Sequence, residues 1–438
     1  MSIELLTILF FSALFVFLVL GLPLAFVLGG VSIIFIYVTW GPAAFYMVAA
    51  QTWGAMNKFT LVAIPLFVFM AMILERSGAA DDLYEMMYVW FGRLRGGLAI
   101  GTVIICAIFA AMCGISGAAV ASMGAIALPS MIDRKYNKEL AVGSILTGGG
   151  WGVLIPPSVL MIIYALISGE SVGKLFAGGV GPGILLLFLT SLYIGIRCWL
   201  QPDLGPGLPP EERGDWVRKI KTIKAVILPI AIVIMVLGSI VFGITTPTEA
   251  AGIGVLGSLI SAIVYRRLTW QIITESALRT LKLTGLILWI IFGAYCFSAA
   301  YQGMGATHLI KNIMQYIPGG PWGTIVFIQL VLFILAMLLD PAGIMMITVP
   351  IFLPVIKSMG FDPLWFGILF IVNMQIGYMT PPFGFNLFYM KGIAPPSITM
   401  GDIYRSVYPY VIISLVGLAL VMLFPSIATW IPNHFFGQ

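Results

Sequence analysis

Two Pro-Pro pairs interrupt long apolar stretches of the sequence and place hydroxyl groups beside each interruption. The first pair lies in Ile155–Ser158 and the second in Thr380–Phe383. Proline has no N–H and clashes with the preceding turn, so each pair breaks its helix and frees backbone carbonyl groups. Such breaks persist at membrane depth only where protein or water satisfies the freed groups. Two breaks in corresponding places of two halves predict a binding site for ions or a transported molecule.

The first break is paired with an interruption that lies about 40 residues earlier. This interruption, Gly114-Ile-Ser-Gly117, divides the apolar stretch 98–131, and Ser116 offers a hydroxyl oxygen. The break itself, Thr147–Ser158, contains four glycines and two prolines and cannot stay helical throughout. Freed carbonyls and hydroxyls are hard, neutral oxygen ligands that suit Na⁺. The alternative is that the glycines serve helix packing, with Ser116 as a hydrogen-bonding group between helices.

An acidic residue, Asp340, interrupts the corresponding apolar stretch 324–356 of the second half. A charge inside a membrane stretch is costly, so this carboxylate is predicted to ligate a cation or carry a proton. Because Pro341 follows it, Asp340 also suits the N-cap position of the next helix, and both roles can hold together. Thr380 and Asn386, on either side of the second Pro-Pro pair, supply further oxygen atoms.

The composition indicates a membrane protein with many helical spans. Of the 438 residues, 61% are apolar and 9% are charged, whereas soluble domains carry roughly 25% charged residues. The net charge of +5 lies mainly in short loops, where it predicts topology rather than nucleic-acid binding. The four cysteines lack metal-like spacing and are expected to be small buried residues. Since no catalytic, phosphate-loop or ATPase motif is found, we predict a non-enzymatic protein. A pump of this kind would have to use an ion gradient or borrow an ATPase.

Ten apolar stretches fit one span each, and two are too long. The two long stretches, 98–131 and 324–356, are interpreted as re-entrant hairpins because each has short arms around a central break. More basic residues flank the first hairpin than the second, and basic residues concentrate on the cytoplasmic side. The first hairpin is therefore predicted to open inward and the second outward. This topology leaves only Lys58, Lys174, Lys311 and Lys357 outside and puts both termini in the periplasm. The ten spans lie near 4–20, 22–39, 59–74, 140–168, 175–197, 225–244, 250–265, 284–301, 366–391 and 405–425.

The two halves of the chain repeat this pattern with inverted topology. Ser116 and Asp340 are 224 residues apart, and Pro156 and Pro381 are 225 apart. Inverted repeats bind substrate and coupling ions near the membrane midplane, at the repeat interface. The predicted regions are mostly scaffold spans at 1–75, a first repeat core at 76–200 with broken helix 140–168, a cytoplasmic loop and scaffold spans at 201–283, a second repeat core at 284–425 with broken helix 366–391, and a periplasmic tail at 426–438.

Seven short motifs together resemble the large membrane subunit of TRAP (tripartite ATP-independent periplasmic) transporters. They are Ile64-Pro-Leu-Phe67, Gly92-Arg-Leu-Arg-Gly-Gly97, Ile115-Ser-Gly117, Leu154-Ile-Pro-Pro-Ser158, Gly181-Pro-Gly183, Thr246-Pro-Thr-Glu-Ala250 and Gly377-Tyr-Met-Thr-Pro-Pro382. The resemblance implies an Na⁺-driven importer of a small organic acid anion, carboxylate or sulfonate, in a bacterial inner membrane. It implies an inverted-repeat, elevator-type fold. As partners it implies a small membrane subunit of about four helices and a periplasmic substrate-binding protein.

The resemblance also implies that two or more Na⁺ ions bind where hairpin tips meet broken helices, with substrate between the tips. Many family members carry a second serine where this chain has Ala118, which leaves the ligand set of the first site open. The first ion site is predicted at Ser116, Gly148, Gly152, Pro156 and Ser158, and the second at Asp340, Gly343, Met379 and Thr380. Substrate contacts are predicted at Ser116, Gly117, Ser158, Asp340, Pro341 and Asn386.

Two sets of alternatives stay open at this point. Glu249 has two possible roles. It either lies in the first turn of a helix, where the N-terminus favours an acidic residue and Thr246 or Thr248 is the cap, or it gates the substrate or contacts a partner. The whole chain is alternatively an elevator-type anion carrier without a binding protein, or a membrane enzyme or assembly protein without transport activity.

Overall fold

The computed structural model describes residues 2–209, 215–382 and 384–436. All regular structure in these ranges is helical, which confirms the predicted all-α class. Short 3-10 helices lie at Pro42–Ala44, Phe59–Val62 and Pro202–Leu204. The α-helices are α1 Ile3–Val19, α2 Leu24–Trp40, α3 Phe45–Met56, α4 Ala63–Arg76, α5 Ala79–Phe91, α6 Gly97–Cys113, α7 Ser116–Asp133, α8 Lys138–Gly152, α9 Val159–Ser168, α10 Val172–Leu200, α11 Trp216–Val241, α12 Pro247–Val264, α13 Trp270–Gly303, α14 Ala306–Gln315, α15 Gly320–Ala336, α16 Pro341–Ser358, α17 Pro363–Tyr378, α18 Phe385–Ile393, α19 Met400–Leu423 and α20 Ser426–Phe436.

Several of these helices are long and apolar enough to cross a membrane. Within the described ranges there are six, or up to eight if each of two bent helix pairs counts as one span. The six are Phe59–Arg76, α10, α12, α13, α16 and α19. Other predicted spans, such as those at α1, α2, α9 and α17, are shorter apolar helices of 10–17 residues. The multi-span prediction is therefore confirmed, while breaks divide more of the apolar sequence than expected.

In the described part of the chain, four helices occupy segments where no span was predicted: α3, α5, α14 and α20. They contain only 10–13 residues each, and a span needs about 20. The segment predicted as a tail, 426–438, contains α20, which packs along α10.

The group of helices α1–α4 and α11–α13 is called the scaffold; it includes residues 284–303 of α13, which the predicted regions assigned to the second repeat core. Its central member is α13, a helix of 34 residues that contacts α2, α3 and α4. Aromatic rings join it to the N-terminal helices. Phe10 stacks on Phe297 with 4.8 Å between ring centroids and meets the edge of Phe35 at 5.0 Å. These contacts fix α1 and α2 against α13.

The stretch 98–131 folds back on itself as α6 and α7, the first hairpin. Glycines of α8 face successive residues of α6 in the same order, so α6 and α8 run parallel. Gly149 faces Val120 of α7, and Ile145, one turn earlier, faces Gly124, so α7 runs in the opposite direction. The chain reverses at Gly114, whose φ of +63° is the left-handed conformation that ends helices at glycine.

The stretch 324–356 folds in the same way as α15 and α16, the second hairpin. At its base, Trp322 meets the edge of Phe361 with 5.4 Å between ring centroids, so the start of α15 lies near the end of α16. The other end of α15 lies beside the second broken helix, where Gly377 of α17 faces Ala336. The tip is therefore the segment that leads to Asp340. The core is defined as both hairpins, the broken helices α8–α9 and α17–α18, and the helices α10 and α19.

Candidate functional site

Each hairpin contacts both broken helices. In the first hairpin, α6 packs along α8 of its own repeat, and α7 packs against α18 of the other repeat. In the second hairpin, α15 packs along α17 of its own repeat, and α16 packs against α9 of the other. The second arm of each hairpin therefore reaches the broken helix of the other repeat, while α7 also packs along α8 of its own repeat. Tips and breaks meet at the repeat interface, where inverted repeats bind their ligands.

The first break spans residues 153–158, between the end of α8 and the start of α9. The hairpin tip lies against it, because a Cβ placed on Gly114 would be 3.1 Å from the carbonyl oxygen of Pro157. Pro156 is buried within the break. Ser158 occupies the N-cap position of α9, yet its side chain caps no backbone N–H. Its Oγ is fully buried and has no hydrogen-bond partner among the described residues. Since buried polar atoms are normally paired, this hydroxyl fits the predicted cation ligand.

The α8 glycines assigned to the first ion site also serve close packing. A Cβ on Gly148 would lie 2.7 Å from the carbonyl oxygen of Val103, and one on Gly152 would lie 2.3 Å from that of Ala107. Both contacts are to backbone atoms of α6, which cannot move aside cheaply. The structure therefore shows the helix packing that the sequence analysis gave as the alternative role of the glycines. Their role as ion ligands stays a prediction.

Gly152→Ala is expected to destabilise the protein by roughly 1–3 kcal/mol, because the added methyl group overpacks the contact with α6. Gly150→Ala is the matched control on the same helix. Its Cβ would meet only the flexible end of Met379, at 3.3 Å, and Gln375 Oε1 at 4.0 Å. The control should leave the thermal unfolding midpoint of the purified protein unchanged or higher. Equal midpoints for the two variants would contradict the packing role.

Asp340 caps the second hairpin arm. Its Oδ2 accepts hydrogen bonds from the backbone N–H groups of Ala342 at 3.0 Å and Gly343 at 3.4 Å, and Pro341 is the first residue of α16. The predicted N-cap role is thus confirmed. The other carboxylate oxygen, Oδ1, accepts only a long hydrogen bond of 3.4 Å from the Tyr378 hydroxyl. This oxygen keeps acceptor capacity next to the second break, so a cation role remains compatible with the cap.

The other residues of the second predicted ion site differ in what they offer. Gly343 packs tightly on the scaffold, since a Cβ there would lie 1.9 Å from Leu24 Cδ2. Met379 is buried at the end of α17. Thr380 donates its hydroxyl proton to the Ile376 carbonyl at 2.7 Å, which leaves its oxygen free to accept or to ligate. Among these three residues, Thr380 is therefore the one whose side chain offers a hard oxygen ligand.

A hydrogen bond joins the first hairpin tip to the second break. Asn386 Nδ2 donates to Ser116 Oγ at 2.7 Å, and both side chains are buried. The next residue, Gly117, contacts the same helix, since a Cβ on it would lie 2.4 Å from the Tyr389 ring. Two predicted substrate contacts from opposite halves of the sequence thus lie side by side. The amide oxygen of Asn386 and the backbone groups around Gly117 are the polar atoms available there.

Gln375 is a residue at this interface that the sequence analysis missed. It is fully buried on α17, and neither its amide oxygen nor its amide nitrogen has a partner among the described residues. Its Oε1 points towards Gly150 of α8, so it lies between the two broken helices. The sequence feature that could have identified Gln375 is its amide side chain, which lies within the apolar run before the second Pro-Pro pair. An unpaired buried amide offers both a donor and an acceptor to a ligand.

A family model covers almost the whole chain. The model for the DctM component of the tripartite ATP-independent periplasmic transporter matches residues 11–427. The chain belongs to this family. The predicted resemblance is thereby confirmed, and the protein is a component of a tripartite membrane transporter.

Relatives of this DctM-family protein carry the names of permeases for different small molecules. It is 31% identical over 444 residues to the C4-dicarboxylate TRAP transporter large permease protein DctM of Vibrio cholerae, covering 96% of each chain. It is 30% identical over 416 residues to the ectoine TRAP transporter large permease protein TeaC of Halomonas elongata, covering 94% of this chain and 96% of the relative. It resembles the structure of the Alcanivorax borkumensis YdaH transporter in fold, with a TM-score of 0.57 and 14% identity over 94% of this chain and 97% of that one.

In this DctM-family protein Glu249 forms a capping box at the start of α12. Its Oε2 accepts hydrogen bonds from the Thr246 backbone N–H at 2.7 Å and hydroxyl at 2.9 Å. The Glu249 N–H donates to Thr246 Oγ1 at 3.3 Å. This reciprocal arrangement stabilises a helix N-terminus. It confirms the first of the two roles predicted for Glu249, that of an acid at the start of a helix. A gating or partner-contact role for Glu249 stays a prediction.

Proposed function

We propose that this protein is the membrane subunit that moves a small organic acid anion across the bacterial inner membrane together with Na⁺. The observation that carries the proposal is the set of incompletely paired polar atoms at the repeat interface. Ser158 Oγ and the Gln375 amide lack partners among the described residues, and Asp340 Oδ1 has one long hydrogen bond. Buried polar groups of this kind are stabilised when a cation or an anionic ligand binds between them.

The substrate class is argued from the site and from the named relatives. The N-termini of α7, α9, α16 and α18 all begin at a hairpin tip or helix break. Helix N-termini favour negative charge, which suits a carboxylate or sulfonate group. Three relatives are named for a C4-dicarboxylate, sialic acid and isethionate. Because each of these molecules is an acid anion, we infer a small acid anion as the substrate of this chain. Cation binding at the tips would complete the anion site between them.

The partners are argued from the tripartite family. We infer that a small membrane subunit of about four helices packs on the scaffold, and that a periplasmic substrate-binding protein delivers the anion. The core would then move through the fixed scaffold as an elevator. In the predicted topology the termini and the second hairpin base face the periplasm.

Uptake into proteoliposomes tests this proposal. The full chain, its small subunit and its binding protein are reconstituted with a panel of labelled acids that includes a C4-dicarboxylate, a sialic acid and a sulfonate. Uptake of at least one acid is expected to require both an inward Na⁺ gradient and the binding protein. Equal uptake with Na⁺ absent on both sides would overturn the coupling. Uptake of free substrate without the binding protein would instead support the independent carrier.

Lys58 joins the scaffold to the core in the conformation described. Its Nζ donates to the Leu166 carbonyl at 3.1 Å and contacts the Tyr295 hydroxyl at 2.6 Å. The carbonyl belongs to the last turn of α9, where a positive charge is favoured. An elevator movement of the core would have to break this contact.

Lys58→Met is therefore expected to lower the population of this conformation, by up to about tenfold for a loss near 1.4 kcal/mol. Distances between spin labels at Asn57 and Ser171, measured by electron paramagnetic resonance, would report the shift. Lys174→Met is the control, since it removes the same charge from α10 without touching the Leu166 carbonyl. An unchanged distance distribution in Lys58→Met would remove the contact from the mechanism.

A further inference from the structure

An apolar groove lies between α10 and α19 on the outer side of the core. It has a volume of about 600 Å³ and is walled mainly by aliphatic side chains, with Arg197 and Gln201 at one end. The wall residues are substantially exposed, for example Leu192 at 46% and Ile412 at 63%. Both helices belong to the set long and apolar enough to cross a membrane. The groove therefore opens towards the hydrocarbon of the bilayer.

The described residues that line the groove belong to α10, to Gln201 directly after it and to α19, and none belongs to a scaffold helix. The α19 wall packs chiefly on the core helices α8, α10, α17 and α18, and on α20. The groove lies on the outer surface where α10, the last helix of the first repeat, meets α19, the last helix of the second. The transport site proposed above lies on the inner side of these helices, so ligands of the two sites would not compete directly.

Positive charge is concentrated at one end of the groove. Arg197 is half-buried there and donates to the Tyr193 hydroxyl, with its guanidinium 5.8 Å from the Tyr193 ring centroid. A small adjoining recess is lined by Arg197, Arg405 and Glu139. Arg197 forms no ion pair with any carboxylate in the part of the chain that the structure describes. The two arginines outnumber the one acid, so the end of the groove carries a net positive charge.

We propose that this groove binds an anionic phospholipid, with one acyl chain between α10 and α19 and the phosphate at Arg197. Basic pockets between membrane helices on the cytoplasmic side hold anionic headgroups, and the charge distribution of the sequence places the 197–224 loop on that side. The exposed Trp199 marks the headgroup level, where tryptophan is enriched. Arg197 presents several N–H donors in a fork that matches phosphate oxygens. The site is independent of the identity of the transported molecule.

Native mass spectrometry of the purified full chain tests the site with phosphatidylglycerol and phosphatidylcholine of identical acyl chains. Wild-type protein is expected to retain phosphatidylglycerol preferentially. Arg197→Gln should bind it about fivefold more weakly, the loss expected for one basic contact at a membrane surface. Arg197→Lys should recover part of the affinity. Arg279→Gln, which removes an exposed arginine on α13, should bind as wild type does.

Two further measurements separate the headgroup from the chain. Leu192→Trp fills the groove and should weaken both lipids alike, while soluble glycerol 3-phosphate should not displace bound phosphatidylglycerol. The proposal is overturned if wild-type protein binds both lipids equally, or if Arg197→Gln keeps the wild-type preference. It is also overturned if Leu192→Trp has no effect, and this outcome decides the matter even if the arginine variants do not fold. Displacement of the lipid by the small membrane subunit would assign the groove to that protein instead.

Discussion

Asp340→Asn is expected to raise the Na⁺ concentration for half-maximal uptake at least about fivefold. The carboxylate stands at the second hairpin tip and accepts a hydrogen bond from Tyr378, two residues before Thr380 at the second break. A unit charge about 4 Å from a cation contributes roughly 1–4 kcal/mol between water-like and protein-like dielectric values, and 1.4 kcal/mol is tenfold in affinity. Asparagine caps a helix about as well as aspartate, so the fold of α16 should be kept.

Asp362→Asn provides a closely matched control. Asp362 also precedes a proline, Pro363, and its Oδ1 accepts a hydrogen bond of 2.8 Å from the Leu364 N–H at the start of α17. It lies at the base of the second hairpin and not at the tip. The variant should therefore keep the wild-type Na⁺ response. Measured side by side in proteoliposomes, equal responses of the two variants would reduce Asp340 to a helix cap.

The helix ends of the core could be predicted from the sequence because proline and glycine act locally. The break after Gly152 and the left-handed turn at Gly114 need no information beyond their neighbours. The N-cap role of Asp340 was readable from the proline that follows it. These local rules gave both hairpins and both broken helices.

Contacts between the repeats could not be predicted in the same way. The hydrogen bond between Ser116 and Asn386 joins residues 270 positions apart, and no local pattern says which hairpin arm meets which break. The contacts of α7 with α18 and of α16 with α9 are properties of the packed fold. Gln375 was missed because its burial and its lack of partners arise where α17 meets α8, near Gly150, and no local pattern shows that contact.

The short helices were missed for a different physical reason. Hydropathy detects segments that must cross hydrocarbon, and α5 with its Asp81 and Asp82 does not satisfy that pattern. The helix is stabilised by packing against α6 and α11 instead. Whether such a segment is helical depends on the tertiary packing of one of its faces and not on its hydropathy.

Ser158→Ala is expected to separate ion binding from folding. The Ser158 Oγ is buried without a partner and caps nothing, so its removal should leave the Na⁺-free protein as stable as wild type, or stabilise it by up to about 1 kcal/mol. If the hydroxyl ligates Na⁺, the variant should lose most of the rise in unfolding midpoint that Na⁺ produces in wild type, since a ligand stabilises only according to its affinity for the folded state.

Ser168→Ala, at the other end of α9, should behave in the opposite way. Its hydroxyl donates to the Tyr164 carbonyl at 2.7 Å and accepts from the Glu170 N–H at 3.2 Å. Its loss should cost about 1 kcal/mol of stability while the Na⁺ response is kept. Thermal unfolding of both variants in matched Na⁺ and choline solutions measures the two effects. A Ser158→Ala protein that is destabilised without Na⁺, yet still responds fully to it, would exclude this hydroxyl from the first ion site. The first ion site would then rely on its other predicted ligands, Ser116 and the backbone carbonyls of the break.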